Sequence, residues 1–95
     1  MIIMEYRNTL QIMSSVLETA KSNGQEGVRV TELLQKSNLS HNRLKLHMNK
    51  LLGSGLINEI VVKKHQVFVL TEKGMLYLEE YKKFDDMARS FGLEL

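Results

Sequence analysis

Three histidines and one pair of adjacent aspartates are the side chains of this 95-residue chain from which metal binding or proton transfer would start. His41 and His47 stand six apart in one helical stretch and so miss the i, i+4 spacing at which two imidazoles share a metal. His65 belongs to a different element. Asp85 and Asp86 are neighbours, and helix neighbours point about 100° apart, so they cannot act as a paired-carboxylate site. The chain has no cysteine, which removes disulfides, thiolate nucleophiles and cysteine-ligated zinc. It also lacks a glycine-rich phosphate loop, a GxSxG elbow and an HExxH pair. A non-enzyme is therefore expected, with no catalytic residue, no metal site and no cofactor.

The residues with chemistry to offer lie in 39–57, LSHNRLKLHMNKLLGSGLI. Ser40 precedes the run as an N-cap. At helical spacing Leu44, Met48, Leu51 and Leu52 share one face, and Asn42, Lys45, Leu46 and Asn49 fall on the opposite one, with Arg43 and Lys50 on its flank. No acid lies in this helix. Amides and cations on a free helical face suit the negatively charged major groove of DNA, although such a face is also often only solvated. His41, in the first turn, is a donor to phosphate; His47 falls beside the apolar face and is read as a packing residue.

The distribution of charge supports this focus. The net charge is only +2, but residues 34–71 hold six basic and one acidic side chain, against three and four in 1–33 and four and six in 72–95. The positive middle is where a nucleic-acid footprint is expected. The length allows one domain with a modest core. No apolar run approaches a membrane span, and residues 1–4 are too short for a signal-peptide core. A cytoplasmic, nucleoid-associated protein with no membrane partner is expected.

The remaining elements must position that helix. Residues 5–22 repeat apolar side chains at Tyr6, Leu10, Met13, Leu17 and Ala20, widened by Ile12 and Val16, which predicts an amphipathic helix ended by Asn23-Gly24. Residues 28–30 read as a very short strand, with Thr31 capping a short helix over 32–36 that Ser37-Asn38 breaks. Two helices joined by so short a turn make a helix-turn-helix, with the second as the reader. Residues 57–62 and 67–70 are two β-branched-rich runs around Lys63-Lys64-His65-Gln66. This predicts a hairpin whose three- to five-residue loop carries a cationic tip, read equally as a contact to DNA or as a solubilising device.

Thr71 is expected to cap a final helix, and Gly74 in its first turn suggests close approach to neighbouring backbone. Tyr77, Tyr81, Phe84, Ala88 and Phe91 follow at spacings of four, three, four and three, an a/d seam over two heptads. A helix of some twenty residues is about 30 Å long, more than a small core covers. A homodimer through these five residues is expected; the alternative is a helix folded back along the first helix of the same chain.

The order helix, short strand, helix, helix, hairpin, helix resembles the winged helix-turn-helix fold. The run 39–57 resembles its recognition helix and wing entry, and VLTEKG at 69–74, followed by Leu78, Tyr81 and Phe84, resembles the end of the wing and the start of a dimer helix. Together they are most similar to small archaeal winged-helix DNA-binding proteins that dimerise through an antiparallel C-terminal coiled coil. The resemblance implies an α+β fold, mainly α with a small β-hairpin. Residues 1–74 would form the winged domain and 75–95 a C-terminal dimerisation helix continuous with it.

It also implies a partner, double-stranded DNA. Ser40, His41 and Arg43 would meet phosphate, Asn42, Lys45, Leu46 and Asn49 would face base edges, and Lys63, Lys64 and His65 would reach the backbone or minor groove; Lys50, on the flank of the helix, is also expected at the DNA. Many relatives carry a basic or polar residue at the position of Leu46. The expected function is a dimeric transcriptional regulator. The alternatives are a protein-interaction module or a non-specific chromatin or architectural protein; a small-molecule effector is not expected.

Overall fold

The structure, a computed structural model, describes residues 2–93, with side chains from residue 9 onward. Tyr6 therefore lies outside the described side chains. The elements run α1 (Ile2–Asn23), a 3-10 turn (Gly24–Glu26), α2 (Val30–Ser37), α3 (His41–Gly53), β1 (Ile57–Val62), β2 (His65–Leu70) and α4 (Glu72–Ser90).

The core lies where α1, α2 and α3 meet one face of the hairpin and the start of α4. Leu17, Leu33, Leu44, Leu51 and Ile57 are fully buried there, with Val28, Met48, Phe68 and Leu78 beside them. Each buried Leu or Ile contributes roughly 1.5–3 kcal/mol, so this cluster fixes how α3 is held. Met75 lines a groove with Ala20 and Gly24, and Tyr81 reaches Ser14. The beginning of α4 thus lies by the end of α1, and the two helices run antiparallel.

Strands β1 and β2 pair antiparallel from Ile57 opposite Leu70 to Val62 opposite His65. This corrects the expected loop: the connection is the two residues Lys63 and Lys64, both with positive φ, +51° and +69°. Such a primed turn has the twist that matches the flanking strands. His65 and Gln66, expected in the loop, are paired strand residues.

The expected strand at 28–30 is also corrected. Val28 alone pairs, with Phe68, and α2 already begins at Val30. The Leu33 amide donates to the Arg29 carbonyl at 3.2 Å and closes the first turn, so Thr31 lies inside the helix and does not cap it. Asn38 ends α2 in the left-handed conformation, which asparagine tolerates better than most residues.

A dense latch joins the end of α3 to the start of α4. The Leu56 amide donates to the Leu51 carbonyl and the Gly55 amide to the Leu52 carbonyl. This is a Schellman ending with Gly55 at φ +76°. Onto that turn the Thr71 hydroxyl donates to the Gly55 carbonyl and the Lys73 ammonium to the Ser54 carbonyl, each at 2.6 Å. Thr71 also caps α4, as expected, accepting from the Gly74 amide at 3.0 Å. A methyl added at Gly74 would fall on the Leu56 carbonyl oxygen and the Leu70 side chain, which accounts for glycine in a helical first turn.

Candidate nucleic-acid interface

The candidate interface is built on α3. Ser40 accepts from the Arg43 amide at 3.3 Å and caps the helix. Leu44, His47, Met48 and Leu51 are buried, and their anchoring turns the other face outward. There His41, Asn42, Arg43, Lys45, Leu46, Asn49 and Lys50 are all exposed, Leu46 at 63%.

His47 is only 8% exposed, and its Nδ1 has no partner among the described residues. Burial pushes its pKa below the ordinary histidine value, and the neighbouring charges of Lys50 and Arg43 act in the same direction. Among the described residues, no group of three or more His, Cys, Asp or Glu side chains could hold a metal ion.

On one flank of α3 an open groove of about 280 Å³ separates the helix from the wing. His41, Lys45 and Asn49 form one wall, and Glu59, Gln66 and Phe68 the other. Gln66 donates from its amide to the Glu59 carboxylate. Lys63, Lys64 and His65 stand exposed at the tip of the wing. Arg43 points to the opposite flank, where it lines a second hollow with residues of α1 and α2.

Glu59 and Gln66 were not among the expected site residues. The signal was the two-residue turn: once Val62 pairs with His65, strand alternation puts Glu59 on the face of Phe68, towards α3.

The five residues of the expected seam divide. Tyr77 and Tyr81 stack with ring centroids 6.3 Å apart, both half-buried, and Ala88 is 5% exposed. Burial and the Asp85 carboxylate raise the pKa of the Tyr81 hydroxyl, with Ser14 and Arg89 opposing. Phe84 and Phe91 point outward, 46% and 75% exposed, beside exposed Met87, and Leu76 is exposed two turns earlier on α4. The reason is that α4 spends its broad inner face on its own core, so the outward stripe is rotated from the 77–91 seam. Asp85 pairs with Arg89 at 3.1 Å.

No helix of the described residues is long and apolar enough to cross a membrane. No curated protein matches the sequence. The fold is similar to the crystal structure of Sso10a-2, a DNA-binding protein from Sulfolobus solfataricus. The TM-score is 0.70 at 17% identity, covering 86% of this chain and 82% of that one. Residues 6–89 match the family model described as winged helix-turn-helix. With α3, its hairpin wing and nearly its whole length within that match, the chain belongs to the winged helix-turn-helix family.

Proposed function

We propose that this protein binds duplex DNA chiefly through the phosphate backbone, in a chromatin or architectural role. In this reading α3 enters the major groove, and the tip of the wing reaches the flanking backbone or minor groove. The observation that carries it is the exposed, acid-free outer face of α3, with cations on both flanks. Ser40, His41, Arg43, Lys50, Lys63, Lys64 and His65 would meet phosphates, and Asn42, Lys45, Leu46 and Asn49 would face base edges. Leu46 lies on that face, and a leucine offers a base edge only apolar contact to a thymine methyl. Weak base readout follows. That Sso10a-2 is described as a DNA-binding protein, with a similar fold at low identity, supports the same direction.

We further propose that two copies pair along α4 through Leu76, Phe84, Met87 and Phe91, its outward apolar stripe. Pairing would double the number of phosphate contacts.

A second reading, a sequence-specific regulator, is favoured by Asn42 and Asn49, since an asparagine can pair bidentately with adenine. Fluorescence anisotropy with several unrelated duplexes over a salt series separates the readings. The expected result is similar affinity for all, falling steeply with salt, because each neutralised phosphate releases counterions. One duplex held far more tightly would favour the regulator. Absent or salt-independent binding would overturn both and favour a protein-interaction module.

A further inference from the structure

We propose that the hollow on the α1 side of α3 is an oxyanion site that seats one phosphate group, separate from the groove on the wing side. It measures about 280 Å³ and is walled by Gln11, Ile12 and Ser15 of α1, Lys36 and Ser37 of α2, and Arg43 of α3. Five of these six side chains carry N–H or O–H donors, two of them are cations, and none is a carboxylate. Three helices converge to supply them.

An independent observation points the same way. The Ser37 hydroxyl is buried and has no partner among the described residues. A buried hydroxyl without a partner is unfavourable and calls for an explanation. Rotation of the Ser37 side chain about χ1 would turn this hydroxyl into the hollow, where an oxyanion would accept from it. Arg43 adds a planar fork that matches two phosphate oxygens. Lys36 stands 3.5 Å from Glu32 in an exposed ion pair, and an ammonium has three donors, so the pair leaves Lys36 able to contact an anion as well.

The lining also defines the ligand. Ile12 is its only apolar member, and no aromatic ring is present on which a base could stack. A phosphate group fits this chemistry; a nucleobase does not. The source is either the DNA backbone or free phosphate. The DNA source rests on the proposed function above, and it would place phosphates on both flanks of α3, as the two rims of a major groove require. The oxyanion site itself does not depend on that reading.

Two titrations of the full chain decide it. In the first, amide shifts are followed by NMR as inorganic phosphate is added at constant ionic strength, with chloride as control. Saturable shifts centred on Ser37 and Arg43, lost in Ser37→Ala and Arg43→Gln, are expected. In the second, DNA affinity is measured over a salt series. Arg43→Gln should make the log–log salt slope shallower by about 0.9. Ser37→Ala should weaken binding by about tenfold, the size of one hydrogen bond to a charged group, with the slope unchanged.

Thermal unfolding guards the comparison, because removing an unpartnered hydroxyl should not lower the melting temperature of Ser37→Ala. Phosphate shifts without an effect on DNA would support the site and assign it to free phosphate. Absence of both effects would overturn the proposal. If the unaltered chain binds no DNA at all, the proposed function fails while the phosphate titration still decides the hollow.

Discussion

Val28 and Phe68 exchange both of their backbone hydrogen bonds, each 2.9 Å long, and this single pair ties the connection between α1 and α2 to the middle of the wing. Both residues are buried, so neither bond is exposed to competing water. Val28→Pro removes one donor and leaves the Phe68 carbonyl buried without its partner. The expected loss is about 1–3 kcal/mol, read from chemical denaturation. An unchanged midpoint would show that the wing is held by side-chain packing alone.

The wing turn offers a change with opposite effects on stability and binding. Lys63 and Lys64 both occupy the left-handed region, which costs an L-residue roughly 1–2 kcal/mol. Replacing them by Asn-Gly, the favoured pair for this turn, should raise stability by about 1 kcal/mol. The same change removes two cations and should weaken all duplexes alike with a shallower salt slope. A variant that gains stability and keeps full affinity would exclude the tip from the interface.

Gly74→Ala should be among the most damaging single methyl additions in the chain. The added carbon meets the Leu56 carbonyl and the Leu70 side chain, within the latch between α3 and α4. Overpacking of this kind costs about 1–3 kcal/mol. Thermal denaturation of the variant checks it, and a melting point equal to that of the unaltered chain would refute the close approach.

His47 gives stability a dependence on pH. Its folded pKa is held below the ordinary value by burial and by Lys50 and Arg43, so on acidification the unfolded chain takes up this proton first. Stability from this group is therefore present above about pH 6.5, the ordinary histidine value. It is lost progressively as the pH falls from there toward the folded pKa. Comparing denaturation midpoints across that window with those of His47→Leu isolates the effect. An identical slope in the two proteins would remove His47 as its source.

The stripe on α4 predicts a change of mass. Phe84→Asp and Phe91→Asp should each convert a dimer to a monomer in sedimentation, because a carboxylate would be buried in an apolar seam. Tyr81→Phe should leave the mass unchanged, since Tyr81 stacks on Tyr77 and lies beside Ser14. A mass indifferent to both aspartates would sink the proposed pairing.

Helix α3 was legible in the sequence because its two faces are chemically distinct: Leu44, Met48 and Leu51 could only face a core, and Ser40 marks its start. Thr71 and Gly74 were equally plain, one through its capping hydroxyl and the other through the oddity of glycine in a helical first turn. The wing turn was hidden because two lysines occupy positions that usually carry asparagine and glycine, and that error concealed the placement of Glu59. The direction of Tyr77 and Ala88 was hidden for a different reason. A heptad pattern does not say whether a helix turns its seam toward its own chain or toward another, and antiparallel packing on α1 decides that. Lys36, Ser37 and Arg43 are brought together with Gln11 and Ser15 only by the crossing of three helices, which no spacing along the chain encodes.

The latch at residues 54–56, gripped by Thr71, Lys73 and the bare backbone of Gly74, has a mechanical consequence. It works as a weld at the elbow of a crank. One arm is α4, the other is α3, and the hydrogen bonds of Thr71 and Lys73 to residues 54–56 join them. Whatever takes hold of α4, a second copy included, would therefore steer the attitude of α3 as well. Two such cranks joined along α4 would act as a fixed caliper, and its opening would be set by how the α4 arms cross.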